Sequence, residues 1–197
     1  MNGTESEKEP LRAILVIGSA ASPPHAGHVH ALKEARDMLR PTHPKLDVVA
    51  AYIAVAHDGY CRKKYGTKRA LSVRHRLALV QLLSTDPLIN DTGLLQPTFR
   101  PYGSAQECAS RLLRDGIHEP GTQVFIVKGE DRNRKGKGRS NHVRIARPPS
   151  AVSATAIRRS VNESGGLKEA LSFGWVPQSY EEYFDRYPEA LVDVATY

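Results

Sequence analysis

Eight residues near the start, LRAILVIG at 11–18, constrain this chain more than any other stretch. They are apolar but for one arginine, rich in branched side chains, and end on a glycine; such a run marks a strand buried on both faces. A doubly buried strand sits inside a mostly parallel sheet, and a parallel neighbour is reached only by a crossover, so helices must alternate with strands. The rest of the sequence obeys that demand. Strand patterns recur at 46–56 (LDVVAAYIAVA), 93–100 (GLLQPTFR, weakened by Pro97), 122–129 (TQVFIVKG) and 141–149 (NHVRIARPP). Helical spacing occupies 28–40, 74–84, 104–116, 153–163, 166–172 and 178–187. Val29, Leu32, Ala35 and Leu39 share one helical face, and Ser104 and Gly116 are suited to cap the helix between them.

The expected fold is therefore α/β: a Rossmann-like, doubly wound, mostly parallel sheet flanked by helices, with ligands binding outside the carboxyl ends of the strands. At 197 residues, 40% of them hydrophobic, the chain is long enough for one well-buried domain, and no repeat or linker divides it. The expected organisation is a disordered segment at 1–10 followed by a single domain over 11–190. No stretch reaches the roughly 18 apolar residues of a membrane span, and MNGTESEKEP lacks the apolar core of a secretory signal. These features predict no membrane partner and place the chain in the cytoplasm or nucleus. Cys61 and Cys108 are too few for a disulfide or metal framework and suit a reducing compartment. The formal charge of +7 predicts anionic partners, nucleotide phosphates or nucleic acid, between which charge alone does not choose.

Motifs at strand ends gain weight in such a fold. Gly18 closes the first strand where a ligand can approach the backbone, and the loop through Gly27 leads to a helix N-terminus, whose free N–H groups and dipole attract phosphate. His25 and His28 stand three apart across Gly27, so both imidazoles can face one anionic group. The plainer alternative is a Pro-rich turn before a helix that happens to carry histidines. Zinc would need further ligands, and no Cys, Asp or Glu stands nearby at suitable spacing, so no metal-ligating residue is assigned. A second candidate cradle lies in SAVSATAIRRSV at 150–161: Ser153 and Thr155 precede a helical run that carries Arg158 and Arg159. Its plainer alternative is a Ser/Thr helix cap beside exposed arginines.

Together the two stretches resemble the nucleotidylyltransferase superfamily with the HxGH signature. HAGH matches that signature at 25–28, and VSATAIR at 152–158 is similar to the family's ISSTxIR element. HDGYCRKKYGTKRALSVRHRLALVQLL resembles the segment of nicotinamide or nicotinate mononucleotide adenylyltransferases in which a Tyr- and Lys-rich stretch precedes a helix beginning with Arg. FIVKGEDR is similar to their strand ending in Gly-x-Asp, and GWVPQSYEEYFDRYPEAL to their closing Val-Pro helix. The resemblance spans most of residues 12–190.

It implies transfer of AMP from ATP to nicotinamide or nicotinate mononucleotide, with pyrophosphate leaving and NAD or its acid form as product. His25, His28 and Arg158 would be the catalytic residues, with His28 the transition-state donor. Gly18, Ser19, Ala20, Gly27, Ser153, Thr155 and Arg158 would hold the nucleotide phosphates, and Mg²⁺ would bridge phosphate oxygens with few protein ligands. Lys63, Lys64, Phe99, Tyr102, Gly129 and Asp131 would serve the second substrate, Phe99 and Tyr102 replacing family tryptophans absent near the third strand. Trp175 reads instead as a packing residue. The sister readings are a cytidylyltransferase, or another adenylyltransferase acting on a small phosphorylated or alcohol substrate. A non-enzyme reading is a nucleotide-binding, weakly ATP-hydrolysing relative.

Departures from the family pattern favour that last reading: Ala21 and Ser22 stand where Phe and Asp or Asn are usual, and Ala154 replaces a serine. The basic loop RNRKGKGRSNH at 132–142 replaces a segment that often covers adenine; it could close on triphosphate, bind nucleic acid, or be a solvated loop. A homo-oligomer is compatible with all of these.

Overall fold

In the computed structural model, which describes residues 9–65, 71–129, 141–145, 153–164 and 167–190, five strands form one sheet in the order β3-β2-β1-β4-β5, every pair parallel. The strands are β1 (Leu11–Ser19), β2 (Leu46–Val55), β3 (Leu95–Gln96), β4 (Gln123–Gly129) and β5 (His142–Ile145). The sheet expected to be mostly parallel is thus parallel throughout. The central position of β1 follows from its composition, because only a strand with neighbours and helices on every side buries Ala13, Ile14, Leu15 and Val16 completely. Strand order runs outward in one direction from β1 through β2 and β3, and in the other through β4 and β5. The crevice of this topology opens where the two directions part, outside the carboxyl ends of β1 and β4.

Alternate residues of each strand feed opposite faces. Ala13, Leu15, Ile53, Val55, Phe125 and Val127 pack under α1 (Ala26–Thr42) and α3 (Val73–Thr85), against Val29, Leu32, Ala35, Val80 and Leu83. Ile14, Val16, Tyr52, Ala54 and Ile126 meet Cys108, Ala109 and Leu112 of α4 (Ala105–Arg114) on the other face. A further cluster joins Leu79 of α3 to α5 (Ala154–Ser164), α6 (Lys168–Ser172) and α7 (Ser179–Arg186) through Ile157, Val161, Ala170, Val176, Tyr180 and Phe184. It draws the C-terminal helices toward the start of α1, where the Trp175 carbonyl accepts the Ala26 N–H at 2.8 Å. Trp175 itself is half-buried and stacks on Phe173, the packing role its sequence context predicts. Among the described residues no helix is long and apolar enough to cross a membrane.

Several boundaries differ from those predicted, each for a local reason. Residues 58–65, read only as a Tyr- and Lys-rich stretch, form α2 (Asp58–Tyr65), with Asp58 in its first turn and Arg62, Lys63 and Lys64 in its last, the charge order a helix dipole favours. Helix α1 continues past the expected end and takes Pro41 into its last turn. The strand expected over 93–100 contracts to Leu95–Gln96: Gly93 adopts φ +62° on one side and Pro97 lacks an N–H on the other. Asn90 defines what remains, its amide donating to the carbonyls of Ser84 (2.7 Å) and Leu95 (3.0 Å) while its oxygen accepts the Leu95 N–H at 3.0 Å. Ser104 caps α4 as expected, and Gly116 follows its end at φ +71°. Of the segment 1–10 only Glu9 and Pro10 are among the described residues, and of the basic stretch 132–142 only Asn141 and His142, the latter opening β5.

Asn90 is buried, so its truncation leaves the carbonyls of Ser84 and Leu95 and the Leu95 N–H without these partners. Asn90→Ala is expected to lower stability by about 2 kcal/mol, read as a shift of the urea midpoint without a change of slope.

Candidate functional site

The crevice wall is built by the seven residues that turn β1 into α1. Ser19 ends the strand, and its Oγ accepts the N–H of Ala21 at 2.9 Å. That bond holds Ala21 at φ +48°, a left-handed conformation that costs an alanine on the order of 1 kcal/mol. The Ser22–Pro23 peptide is cis. The Ser22 hydroxyl accepts the Leu71 N–H at 3.1 Å, so this serine is buried as a tie to the segment before α3. The extended His25 then caps α1.

The histidine pair is brought together as the HAGH spacing predicts, with ring centroids 4.1 Å apart. His28 Nδ1 accepts the backbone N–H of His25 at 3.3 Å, so in the neutral ring the proton sits on Nε2, which donates to Ser19 Oγ at 2.8 Å. This tautomer has a chemical consequence. An Nε2 that carries hydrogen cannot take the Ser19 proton, so Ser19 and His28 do not form a nucleophile and base; His28 is a hydrogen-bond donor to the Ser19 hydroxyl. His25 is 7% exposed, and its Nδ1 has no partner among the described residues. Burial, then the neighbouring His28 and the Arg158 guanidinium, hold the His25 pKa well below its ordinary value. Burial brings that of His28 down to about 4, against the opposing pull of its hydrogen bond with the His25 backbone. Both rings are neutral at pH 7.

Arg158 of α5, 1% exposed, meets this loop from 136 positions farther along the chain than Ser22. Its Nη1 donates to the Ser22 carbonyl and its Nη2 to Thr155 Oγ1 at 3.1 Å, so Thr155 and Arg158 are joined as the resemblance expects. Ser153 Oγ accepts the N–H of Ala156 at 3.1 Å and caps α5, the plainer of its two roles. At α1 the Ala26 N–H is taken by Trp175, which leaves the imidazoles and the serine hydroxyl as the side-chain donors of this wall.

The remaining predicted residues lie as follows. Gly18 faces α4, where an added Cβ would sit 3.5 Å from Ala105 in ordinary contact. The Ala20 carbonyl points inward to a buried arginine, and Gly27 lies in the first turn of α1 between the two histidines. Lys63 and Lys64 are exposed on α2. Tyr102 extends the sheet beyond β2, donating its N–H to the Val55 carbonyl at 2.8 Å, while Phe99 is 74% exposed. Both line a groove of about 450 Å³ with Tyr52, Leu112 and Ile117, beside β3 on the α4 face, whereas the histidines stand at the carboxyl end of β1. Gly129 ends β4, and Asp131 lies outside the described residues. Among the described residues no group of three His, Cys, Asp or Glu side chains could hold a metal ion.

Sequence reasoning missed Arg76, a fully buried guanidinium that donates to the carbonyls of Leu71 (2.8 Å), Ala20 (2.9 Å) and Ala56 (2.7 Å) and pairs with Asp58 at 2.6 Å. It ties the ends of β1 and β2 to the start of α2. The only signal in the sequence was the arginine-led helix of the resemblance. Compared with protein-family models and with curated proteins, the chain finds no match.

The low His28 pKa makes folding pH-dependent. The unfolded ring titrates near 6.5 and the folded one near 4, so the unfolded chain binds more protons between those values and stability falls as pH drops through that window. Urea denaturation at pH 7 and pH 4.5 should show His28→Asn losing less stability than the wild type, by on the order of 2 kcal/mol. Equal losses would mean that His28 titrates normally.

Proposed function

We propose that this chain is a nucleotidylyltransferase that transfers AMP from ATP to nicotinamide or nicotinate mononucleotide. The observation that carries the reading is the His25 and His28 pair at the start of α1, at the switch point of the sheet, with His28 held as an Nε2–H donor and Arg158 against the same loop. In-line transfer fits such a wall. A phosphate oxygen of the mononucleotide forms a bond to the α-phosphorus, the bond to the bridging oxygen breaks, and pyrophosphate leaves with the electron pair. An ionised phosphate nucleophile needs no base, which agrees with imidazoles that donate rather than accept. The dipole of α1 and the His28 Nε2–H, once turned from Ser19 to the phosphate, stabilise the charge that builds on the non-bridging oxygens, and the sequence resemblance assigns Arg158 to the departing phosphates.

Mg²⁺ would neutralise part of the triphosphate charge. The described residues offer no carboxylate cage for it, so it would be held by phosphate oxygens. The choice of ATP and of a pyridine mononucleotide rests on the sequence resemblance. A nucleotide-binding chain without transfer is the second reading, favoured by the engagement of Arg158 with Ser22 and of the Ala26 N–H with Trp175.

The test is pyrophosphate release with Mg²⁺, crossing ATP and CTP against nicotinamide mononucleotide, nicotinate mononucleotide and no acceptor. Release with ATP plus a mononucleotide alone, with dinucleotide formed, is expected. His28→Ala should lower that turnover by about 100-fold or more with an unchanged circular dichroism spectrum. Wild-type turnover in that variant overturns the role of His28; silence across the panel with nucleotide still bound establishes the second reading.

A further inference from the structure

The groove of about 450 Å³ beside β3 brings a recess, a projection and both signs of charge onto one patch of surface. Its inner wall includes the rings of Tyr52 and Tyr102, both buried. Phe99 and Ile117 stand on the same lining at 74% and 60% exposure, so the recess is flanked by two large apolar side chains that water covers in the single chain. Arg100 and Asp115, also of the lining, form a partly exposed ion pair. Asp115 lies 3.6 Å from Arg114 as well, so this carboxylate stands between two guanidinium groups.

We infer that this groove is a two-fold docking surface for a second copy of the chain, with Phe99 of each copy seated in the groove of the other and Arg100 of each paired with Asp115 of the other. A two-fold contact sets one patch against itself, so that patch must hold both the projecting part and the recess that receives it. Phe99 projects, and a cavity of roughly 150 Å³ is enough for a benzene ring, so the groove has room for the incoming phenyl group beside Tyr52 and Tyr102. Ring-to-ring contact there adds to the burial of apolar surface. The charges obey the same symmetry. Each rim offers one guanidinium and one carboxylate, so Arg100 of either copy finds an opposite charge across the interface while Arg114 remains beside its own carboxylate. Two chains of formal charge +7 repel as wholes, and the exchange of these pairs makes this face approachable. An unlike partner would have to supply a matching knob and recess; a second copy carries both.

The test is sedimentation equilibrium of the full chain from about 1 to about 300 µM, at an ionic strength of about 0.15 M, with circular dichroism as a check on the folding of each variant. The wild type should show a reversible monomer and dimer equilibrium in the micromolar range. Phe99→Ala should weaken it about 10- to 100-fold, because a substitution on a two-fold interface acts twice. Arg100→Asp alone and Asp115→Arg alone should each dissociate, since each then meets only its own sign of charge at these two positions. An equimolar mixture of those two variants should associate again, because every cross-pair is once more of opposite sign. The internal ion pair is broken in both variants and stays broken in the mixture, so the recovery reports contact between copies and not repair of either fold. A dimer indifferent to Phe99→Ala, or a mixture as dissociated as its components, overturns the inference. So does a wild type that is monomeric at the highest concentration, a result that would leave the groove to a small apolar ligand or an unlike protein.

Discussion

Burying a guanidinium is unfavourable unless its donors find acceptors, and Arg76 meets that condition only when four segments are in place at once. Its partners are the carbonyls of Ala20, Ala56 and Leu71 and the carboxylate of Asp58. Ala20 follows the central strand, Ala56 follows β2, and Asp58 begins α2, so one side chain of α3 sets the spacing of the elements that frame the crevice. The left-handed Ala21 and the buried Ser22 lie directly beyond the first of those carbonyls. The loop that presents the histidines is thus anchored at its start by Arg76 and farther along by Arg158, two arginines brought in by different helices.

The two anchors leave different electrostatic surroundings. Arg76 pairs with Asp58, and Arg158 donates to the Ser22 carbonyl and the Thr155 hydroxyl and stands over the Tyr65 ring. Beside it burial keeps both imidazoles neutral, reinforced at His25 by His28 and Arg158. A site of this kind avoids the repulsion of three cations packed together, yet can acquire charge when a polyanion enters, since an incoming phosphate raises the pKa of whatever imidazole it touches.

Much of this was legible in the sequence, and the physical reason is locality. β1, β2 and β4 announce themselves because strands buried on both faces cannot disguise their apolar runs, and α4 because its cap residues sit at its own ends. The HAGH spacing was readable because three residues at a helix start bring two side chains together whatever the rest of the chain does. The bonds of Arg76 to Ala20 and Ala56 were not, since those partners are distant in sequence: Ala20 is 56 positions from Arg76. α2 was missed because a polar, basic helix of eight residues has little apolar periodicity to show. β3 was overextended because its limits depend on the side chain of Asn90, outside the strand itself. Ser153 and Ser22 carry hydroxyls that composition alone assigns as readily to ligand as to backbone, and the fold spends both on backbone.

The brevity of β3 has a consequence for how copies of this chain can meet. The outer strand of an open sheet is a template on which another chain can lay its own backbone, and a long flat one invites stacking without end. Here that border is two residues long and passes at once into a proline that has no N–H to offer. Too few groups remain in line there for a second sheet to continue the first, so growth by strand addition is blocked at the β3 side, and any assembly formed there must rely on side chains.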